Sequence, residues 1–217
     1  DKKDQPRVPI TARLVADLLT VAGANRLLTV DLHAAQIQGF FNIPVDELTA
    51  LYLLGHYFAE RSFDNLVVVA TDIGISKRAR DLATKLNAPL AIMEKRRVGN
   101  TAQTETLNVI GDVEGRVALT VDDEIDTAGS LVNTVSVLEE RGVKEIFACC
   151  THPIFSGQAV QRIASCPVRE VVVTDTVPVT GGKKLDKITV LPIAPLLGEA
   201  IRRIHTGQSI GAMFEKF

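Results

Sequence analysis

The sequence predicts an α/β fold built on a mainly parallel sheet. Short runs rich in Val, Ile and Leu recur along the chain with little polar alternation, which is typical of strands buried on both faces. Helical patterns lie between most of these runs, and this alternation implies parallel βαβ units. The strand-like runs are residues 27–30, 66–70, 90–93, 117–121, 146–150, 170–174 and 188–191, and the helical patterns cover residues 10–22, 46–60, 77–87, 129–141 and 194–205.

The order of these elements predicts three segments. Residues 1–44 are the C-terminal part of an N-terminal α/β domain, and residues 45–190 form one doubly wound domain. Residues 191–217 contribute a C-terminal helix that returns toward the N-terminal domain. Because the chain starts at Asp1 in a polar run and enters a helical pattern at once, we expect residues 1–217 to be the later part of a longer polypeptide.

Composition narrows the class of protein. The 217 residues are 46% hydrophobic and 23% charged, which is typical of a globular protein. The net charge of −2 argues against broad nucleic-acid binding, which favours a strongly basic face. No apolar run approaches the ~18–20 residues of a membrane-spanning helix, so no membrane partner is expected. The three cysteines lack metal-ligand spacing and no signal-peptide pattern is present, so we expect a cytoplasmic protein.

The most informative segment is VALTVDDEIDTAGSL, residues 117–131. Its apolar half predicts a buried strand that ends at Asp122 and Asp123, on the side where open α/β sheets bind ligands. A loop of small residues then enters a helix, whose first backbone N–H groups suit a phosphate. The loop consists of Asp126, Thr127, Ala128, Gly129 and Ser130. Carboxylates beside a phosphate cradle predict a pocket for a phosphorylated sugar with a divalent metal, although the bare strand–loop–helix pattern supports phosphate binding and an ordinary helix start about equally.

Two other strands are followed by carboxylates. Asp31 and His33 follow the strand at 27–30, and their spacing places them on one side of an extended chain. A lone His after a strand is more often structural, but this pairing favours a metal or phosphate role. Asp72 follows the strand at 66–70 and precedes Gly74 and the basic start of a helix.

A run of cations follows the strand at 90–93. Lys95, Arg96 and Arg97 precede a polar stretch, and such cations are often only solvated. A basic loop that closes over polyphosphate would nevertheless serve pyrophosphoryl transfer, because it delivers positive charge and excludes water. We therefore predict a lid over residues 96–108 that is mobile without nucleotide. The sequence has no G-x-x-x-x-G-K-[ST] loop, which excludes an ordinary P-loop kinase.

The string VDDEIDTAGS resembles the phosphoribosyl diphosphate (PRPP) motif of type I phosphoribosyltransferases and of PRPP synthetases. LLTVDLHAAQIQGFF, residues 27–41, and the Lys-Arg-Arg run resemble the PRPP synthetases alone. The resemblance covers essentially the whole chain and aligns it with the last two-thirds of a typical member. It implies a type I phosphoribosyltransferase-like parallel-sheet domain, preceded by the end of a second, related α/β domain.

The resemblance also implies an activity. PRPP synthetases, or ribose-phosphate diphosphokinases, transfer the pyrophosphoryl group of ATP to the 1-hydroxyl of ribose 5-phosphate, giving PRPP and AMP for nucleotide biosynthesis. It implies Mg²⁺ as the cofactor, a hexamer built from dimers, and ADP and phosphate as effectors. Because the first third of a typical member is not matched, the activity of residues 1–217 alone stays open.

The resemblance assigns the sugar-phosphate contacts to the PRPP motif. The backbone amides of residues 126–130, with the Thr127 and Ser130 hydroxyls, would cradle the 5-phosphate. Asp122 and Asp123 would hold the ribose hydroxyls and orient the attacking oxygen.

The remaining roles concern the nucleotide and its metal. Asp72 and His33 would position Mg²⁺, with His33 also helping to bind Mg·ATP. Lys95 and Arg97 would belong to the flexible catalytic loop and stabilise charge on the transferring group and on the AMP leaving group.

The segment around Asp72 departs from the family pattern. Thr71 stands where the family usually has Pro, and Ile75 stands where it has a second Gly. Because Ile adopts positive φ only at a cost, we expect this turn to differ in shape.

Two alternative functions remain open. A type I phosphoribosyltransferase would share the PRPP loop but would consume PRPP with a base. A non-catalytic regulatory homologue would keep the fold and associate with an active synthetase.

Overall fold

The computed structural model describes residues 1–3, 5–97 and 105–214, with the backbone alone of residues 95–97 and 105–107. The chain divides into two compact units, Asp1–Thr49 and Ala50–Phe217. In the first unit, the parallel strands β1 (Leu27–Val30) and β2 (Val45–Leu48) pair from Leu27–Val45 to Val30–Leu48. Helix α1 (Thr11–Val21) and a 3-10 helix (Ala35–Phe40) complete this unit.

The second unit contains a seven-stranded sheet and five helices among the described residues. Its strands are β3 (Leu66–Ala70), β4 (Leu90–Arg97), β5 (Glu105–Ile110), β6 (Val117–Ile125), β7 (Glu145–Pro153), β8 (Glu170–Thr174) and β9 (Ile188–Leu191). Its helices are α2 (Leu51–Ala59), α3 (Ser76–Lys85), α4 (Gly129–Glu140), α5 (Ala159–Ser165) and α6 (Ala194–His205), with short 3-10 helices at Gly181–Lys183 and Gly211–Met213.

The strand order of this sheet is β5-β4-β3-β6-β7-β8-β9. Every neighbouring pair is parallel except β4 and β5, which are antiparallel. Strands β3 and β6 are adjacent although β4 and β5 lie between them in sequence, so the chain crosses over at this point of the sheet. The mainly parallel α/β fold predicted from the sequence is confirmed.

Helices cover both faces of the seven-stranded sheet. On one face, α4 and α5 contribute Leu131, Val135 and Ile163 to a buried cluster with alternate residues of the central strands. On the other face, α2 and α3 contribute Phe58 and Leu82 to a second cluster. Because both faces are buried, the central strands need apolar residues at every position, which explains their continuous apolar runs.

The structure differs from the sequence-based elements at the boundary between the two units. The sequence predicts residues 45–49 as part of the second domain, whereas Val45–Leu48 forms β2 and pairs with β1 in the first unit. Helix α2 consequently begins at Leu51 rather than near residue 46. Helix α5 is not predicted from the sequence, because its seven residues carry too little apolar periodicity to indicate a helix. The predicted return of residues 191–217 toward the N-terminal domain stays a prediction.

Within the part of the chain that the structure describes, no helix has the length and apolar character needed to cross a membrane. All three cysteines, Cys149, Cys150 and Cys166, are buried and free of disulfides. The first two lie on β7 in the core, where a buried cysteine packs as a small hydrophobic residue.

Candidate active site

The paired carboxylates lie on β6, next to the end of β3. The sequence predicts that the strand ends before Asp122 and Asp123, but β6 continues to Ile125. The extension exists because β6 pairs with β7 as far as Ile125 and Pro153. The two carboxylates are therefore fixed by a strand rather than by a loop.

Protein donors contact both oxygens of the Asp122 carboxylate. Its Oδ2 accepts a hydrogen bond of 2.8 Å from the Thr71 hydroxyl, and its Oδ1 accepts one of 2.9 Å from the Asp123 backbone N–H. Asp123 is buried, and its Oδ1 accepts a bond of 3.0 Å from the Glu124 N–H. Two acidic side chains are thus held together at the carboxyl end of a parallel strand, where ligands bind in open α/β sheets.

This environment changes the protonation of Asp122. Burial, together with a hydrogen bond to the Asp123 carboxyl and its charge, raises the pKa of Asp122 from 3.8 to about 7, although the bonds from Thr71 and from the Asp123 N–H oppose the rise. A carboxyl with this pKa can hold or release a proton near neutral pH. Such groups cluster at functional sites.

The loop that follows β6 turns sharply into α4. Ala128 has φ +59° and ψ 13°, a left-handed conformation that is uncommon for a residue with a Cβ, and α4 begins at Gly129. Among the described residues, no side chain caps this helix, and its first turn contains no acidic residue. The first backbone N–H groups of a helix have no partner within the helix, so this end suits an anion. Thr127 and Ser130 are exposed beside it.

A second segment braces this loop from the end of β7 and from α5. Ser156 donates a hydrogen bond from its hydroxyl to Asp126 Oδ1 and one of 3.0 Å from its N–H to the Asp126 carbonyl. Arg162 Nη1 donates a bond of 2.8 Å to the Thr127 carbonyl. Neither brace is predictable from the sequence, because no pattern near residues 156 or 162 indicates a partner about 30 residues away.

The turn after β3 is ordinary in shape. Ile75 has φ −86° and ψ −3°, and its side chain is buried in the α2–α3 core cluster. Ile75 thus adopts a negative φ, as a residue with a Cβ prefers, and the difference in shape from the family's turn stays a prediction. Asp72 Oδ1 accepts a hydrogen bond of 3.1 Å from the Ile75 N–H, which fixes the carboxylate at the start of α3.

The other predicted site residues are His33, Lys95 and Arg97, and only the backbone of Lys95 and Arg97 is described. His33 is exposed and follows β1 in the first unit, whereas Asp72, Asp122 and Asp123 belong to the second unit. Lys95 and Arg97 lie on β4, which extends past the predicted end at residue 93 because it pairs with β5 from Ile92–Ile110 to Arg97–Glu105. Residues 98–104, the centre of the predicted lid, lie outside the described residues.

A preformed metal centre is absent from the described residues: no three His, Cys, Asp or Glu side chains come together in a group that could hold an ion. Mg²⁺ does not require such a centre, because it is commonly bound by one or two carboxylates together with substrate phosphates and water. The Asp72 carboxylate, fixed at the end of β3, provides the oxygen chemistry that Mg²⁺ prefers.

The fold and the site together define an α/β protein of the type I phosphoribosyltransferase-like class, in which the half-buried Asp122 and the buried Asp123 precede a short loop and the start of α4. Residues 97–215 match the family model of the phosphoribosyl synthetase-associated domain. The ribose-phosphate pyrophosphokinases of Caldanaerobacter subterraneus and Aquifex aeolicus are 53% and 51% identical to the chain, and each match covers 99% of this chain and 68% of the relative. The crystal structure of phosphoribosylpyrophosphate synthetase from Mycobacterium smegmatis matches with a TM-score of 0.87 at 43% identity, covering 95% of this chain and 67% of that one. The chain belongs to the ribose-phosphate pyrophosphokinase (PRPP synthetase) family, and the relatives named here are enzymes.

Proposed function

We propose that this protein transfers the β,γ-pyrophosphoryl group of ATP to the 1-hydroxyl of ribose 5-phosphate, giving PRPP and AMP. The observation that carries the proposal is the continuous segment of β6, loop and α4, which holds two acidic side chains at one end and an uncapped helix start at the other. Family membership supports the same reaction, because the relatives are named ribose-phosphate pyrophosphokinase.

The carboxylates would bind the sugar. Asp122 and Asp123 are acceptors on a rigid strand, and ribose hydroxyls are donors, so the pair would orient the sugar and its 1-oxygen. Because its pKa is raised to about 7, Asp122 can also take a proton from a ligand hydroxyl near neutral pH.

The loop would bind the 5-phosphate. The first backbone N–H groups of α4 and the exposed Thr127 and Ser130 hydroxyls are the donors, with Gly129 at the first helical position. A Cβ at Gly129 would lie 3.6 Å from Thr127 Oγ1 and 3.8 Å from Arg162 Nη1, so two polar side-chain atoms lie beside the backbone at this position. The Ser156 and Arg162 braces would keep this cradle in shape before substrate arrives.

Mg²⁺ would be held by Asp72, with His33 helping to bind Mg·ATP. When bound, the ion neutralises charge on the phosphate oxygens and orients them. Lys95 and Arg97 would supply the remaining positive charge. In the transfer, the 1-oxygen of ribose forms a bond to the β-phosphorus and loses its proton, while the bond from that phosphorus to the α,β-bridging oxygen breaks and AMP leaves with the negative charge.

The proposal includes the assembly and the regulation that the family resemblance implies. We expect a hexamer built from dimers, with ADP and phosphate as effectors. Light scattering of the purified protein at several concentrations would test the assembly. A monomer that is fully active would contradict it.

The test of function is a product assay on the native full-length polypeptide that contains these residues. With ATP, ribose 5-phosphate and Mg²⁺, we expect AMP and PRPP to form in equal amounts. Consumption of PRPP with a purine or pyrimidine base would instead indicate a phosphoribosyltransferase. Absence of turnover, combined with stimulation of an active synthetase on mixing, would indicate the non-catalytic regulatory alternative.

A further inference from the structure

We infer that Thr71 is a positioning residue for substrate binding: its hydroxyl holds the Asp122 carboxylate in the orientation in which it meets the ribose hydroxyls. This inference rests on the proposed function, because it concerns the same sugar site. It assigns a role to a residue that lies outside the PRPP motif by about 50 positions in sequence.

Thr71 is placed for this role by the sheet. It directly follows β3, whose last residue, Ala70, pairs with Val121 of β6. Thr71 is buried at 5% exposure, so its hydroxyl must find partners within the protein. Its Oγ1 lies 2.8 Å from Asp122 Oδ2 and 3.2 Å from the Val121 carbonyl.

The hydroxyl has one hydrogen, so it cannot donate to both acceptors at once. The Val121 carbonyl also accepts the Thr71 backbone N–H at 3.4 Å, whereas the carboxylate oxygen is nearer and carries charge. The hydrogen therefore belongs to the bond with Asp122 when that carboxyl is ionised. Bonds to charged acceptors are about twice as strong as neutral ones.

The same geometry also allows a hydrogen bond between Thr71 and Asp122 when Asp122 is protonated. In that state Asp122 can donate to Thr71 Oγ1, and the Thr71 hydroxyl can turn to the Val121 carbonyl. The bond between the two side chains is kept in both cases. Thr71 is thus able to hold the carboxyl in one place whether or not it has a proton, which a purely donating or purely accepting side chain could not do.

The alternative is that Thr71 only stabilises the fold. A buried threonine on β6, Thr120, provides the matched control, because it is 1% exposed and its hydroxyl donates only to a backbone oxygen, the Phe147 carbonyl at 3.3 Å, among the bonds described. Replacing either threonine by valine preserves the branched shape and removes one buried hydroxyl. Only the change at position 71 removes a partner of Asp122.

The experiment measures ribose 5-phosphate binding by calorimetry, with the native full-length polypeptide and its Thr71→Val, Thr71→Ala, Thr71→Ser and Thr120→Val variants. Because binding needs no turnover, this readout is separate from the synthetase assay. We expect Thr71→Val and Thr71→Ala to weaken binding about tenfold, equivalent to about 1.4 kcal/mol. Thr71→Ser, which keeps the hydroxyl, should bind within about twofold of the native protein, and Thr120→Val should bind normally.

Steady-state kinetics gives a second readout. In an active enzyme, Thr71→Val should raise KM for ribose 5-phosphate and leave KM for ATP unchanged. The inference is overturned if Thr71→Val and Thr71→Ala bind ribose 5-phosphate like the native protein, or if Thr71→Ser is as weak as Thr71→Val. Absence of ribose 5-phosphate binding by the native protein would overturn the proposed function and this inference together.

Discussion

Arg162 Nη1 donates a hydrogen bond of 2.8 Å to the backbone carbonyl of Thr127, so a side chain of α5 fixes the loop that precedes α4. The loop needs such support because its next residue, Ala128, is left-handed at φ +59°. A guanidinium that bonds the loop backbone also brings positive charge close to the site proposed for the 5-phosphate. This relationship connects the shape of the loop to the affinity for substrate.

We predict that Arg162→Gln raises KM for ribose 5-phosphate about tenfold, because the loop loses its brace and the site loses a nearby positive charge. KM for ATP should change little. Arg141→Gln is the matched control: Arg141 is also exposed and makes a single described side-chain bond, 3.0 Å from Nη2 to Asn108 Oδ1, at the opposite end of α4. Equal effects of the two substitutions on KM would show that the brace does not matter for binding.

A second prediction concerns the Thr127 hydroxyl. Thr127→Val keeps the size of the side chain and removes one proposed phosphate donor, so KM for ribose 5-phosphate should rise several-fold. Because Thr127 is exposed, this substitution should change the melting temperature little. The control is Thr84→Val at an exposed threonine on α3, and Thr127→Val should change the melting temperature by no more than this control does. An unchanged KM would remove the Thr127 hydroxyl from the phosphate site.

The raised pKa of Asp122 predicts a pH-dependent stability. Folding raises this pKa from 3.8 to about 7, so the folded state binds more protons than the unfolded state between these values. The carboxyl therefore destabilises the fold progressively as pH rises from about 4 to 7, by an amount on the order of a few kcal/mol once it is ionised.

Asp122→Asn should remove this pH-dependent contribution to the free energy of unfolding. The melting temperature of the variant minus that of the native protein should increase from pH 4 to pH 7 and then become constant, while activity is lost. Thermal unfolding at several pH values measures this difference. Parallel curves for the two proteins over this range would contradict the raised pKa.

The fourth prediction tests Lys95 as a group that acts on the transition state. Lys95→Ala should lower kcat on the order of 10²-fold or more, comparable to the loss of one preorganised electrostatic donor, and should change the substrate KM values much less. The measurement is steady-state kinetics of the native full-length polypeptide. A raised KM for ATP with unchanged kcat would identify Lys95 as a ground-state binding group instead.

Local patterns predicted much of the fold correctly. The strands at 27–30, 66–70, 170–174 and 188–191 and the helix at 194–205 have the predicted bounds, because their apolar periodicity and length are local properties. The sequence also predicted the segment that runs from the buried strand through the carboxylates and the small-residue loop into the helix. Each part of this segment is encoded by adjacent residues. The predicted bounds are wrong where pairing between strands decides the structure. Val45–Leu48 is a strand because β1 lies beside it, and β6 is long because β7 accompanies it.

The sequence by itself determined the parallel α/β class, the PRPP motif and the family. Only the tertiary structure decided which side chains hold that motif in place: Thr71 on Asp122, Ser156 on Asp126 and Arg162 on Thr127. Each of these pairs joins residues 30 to 51 positions apart in the chain. Periodicity and turn propensity report on neighbours within a few residues, whereas such contacts depend on the order in which strands assemble, and that order is set by the packing of the whole sheet.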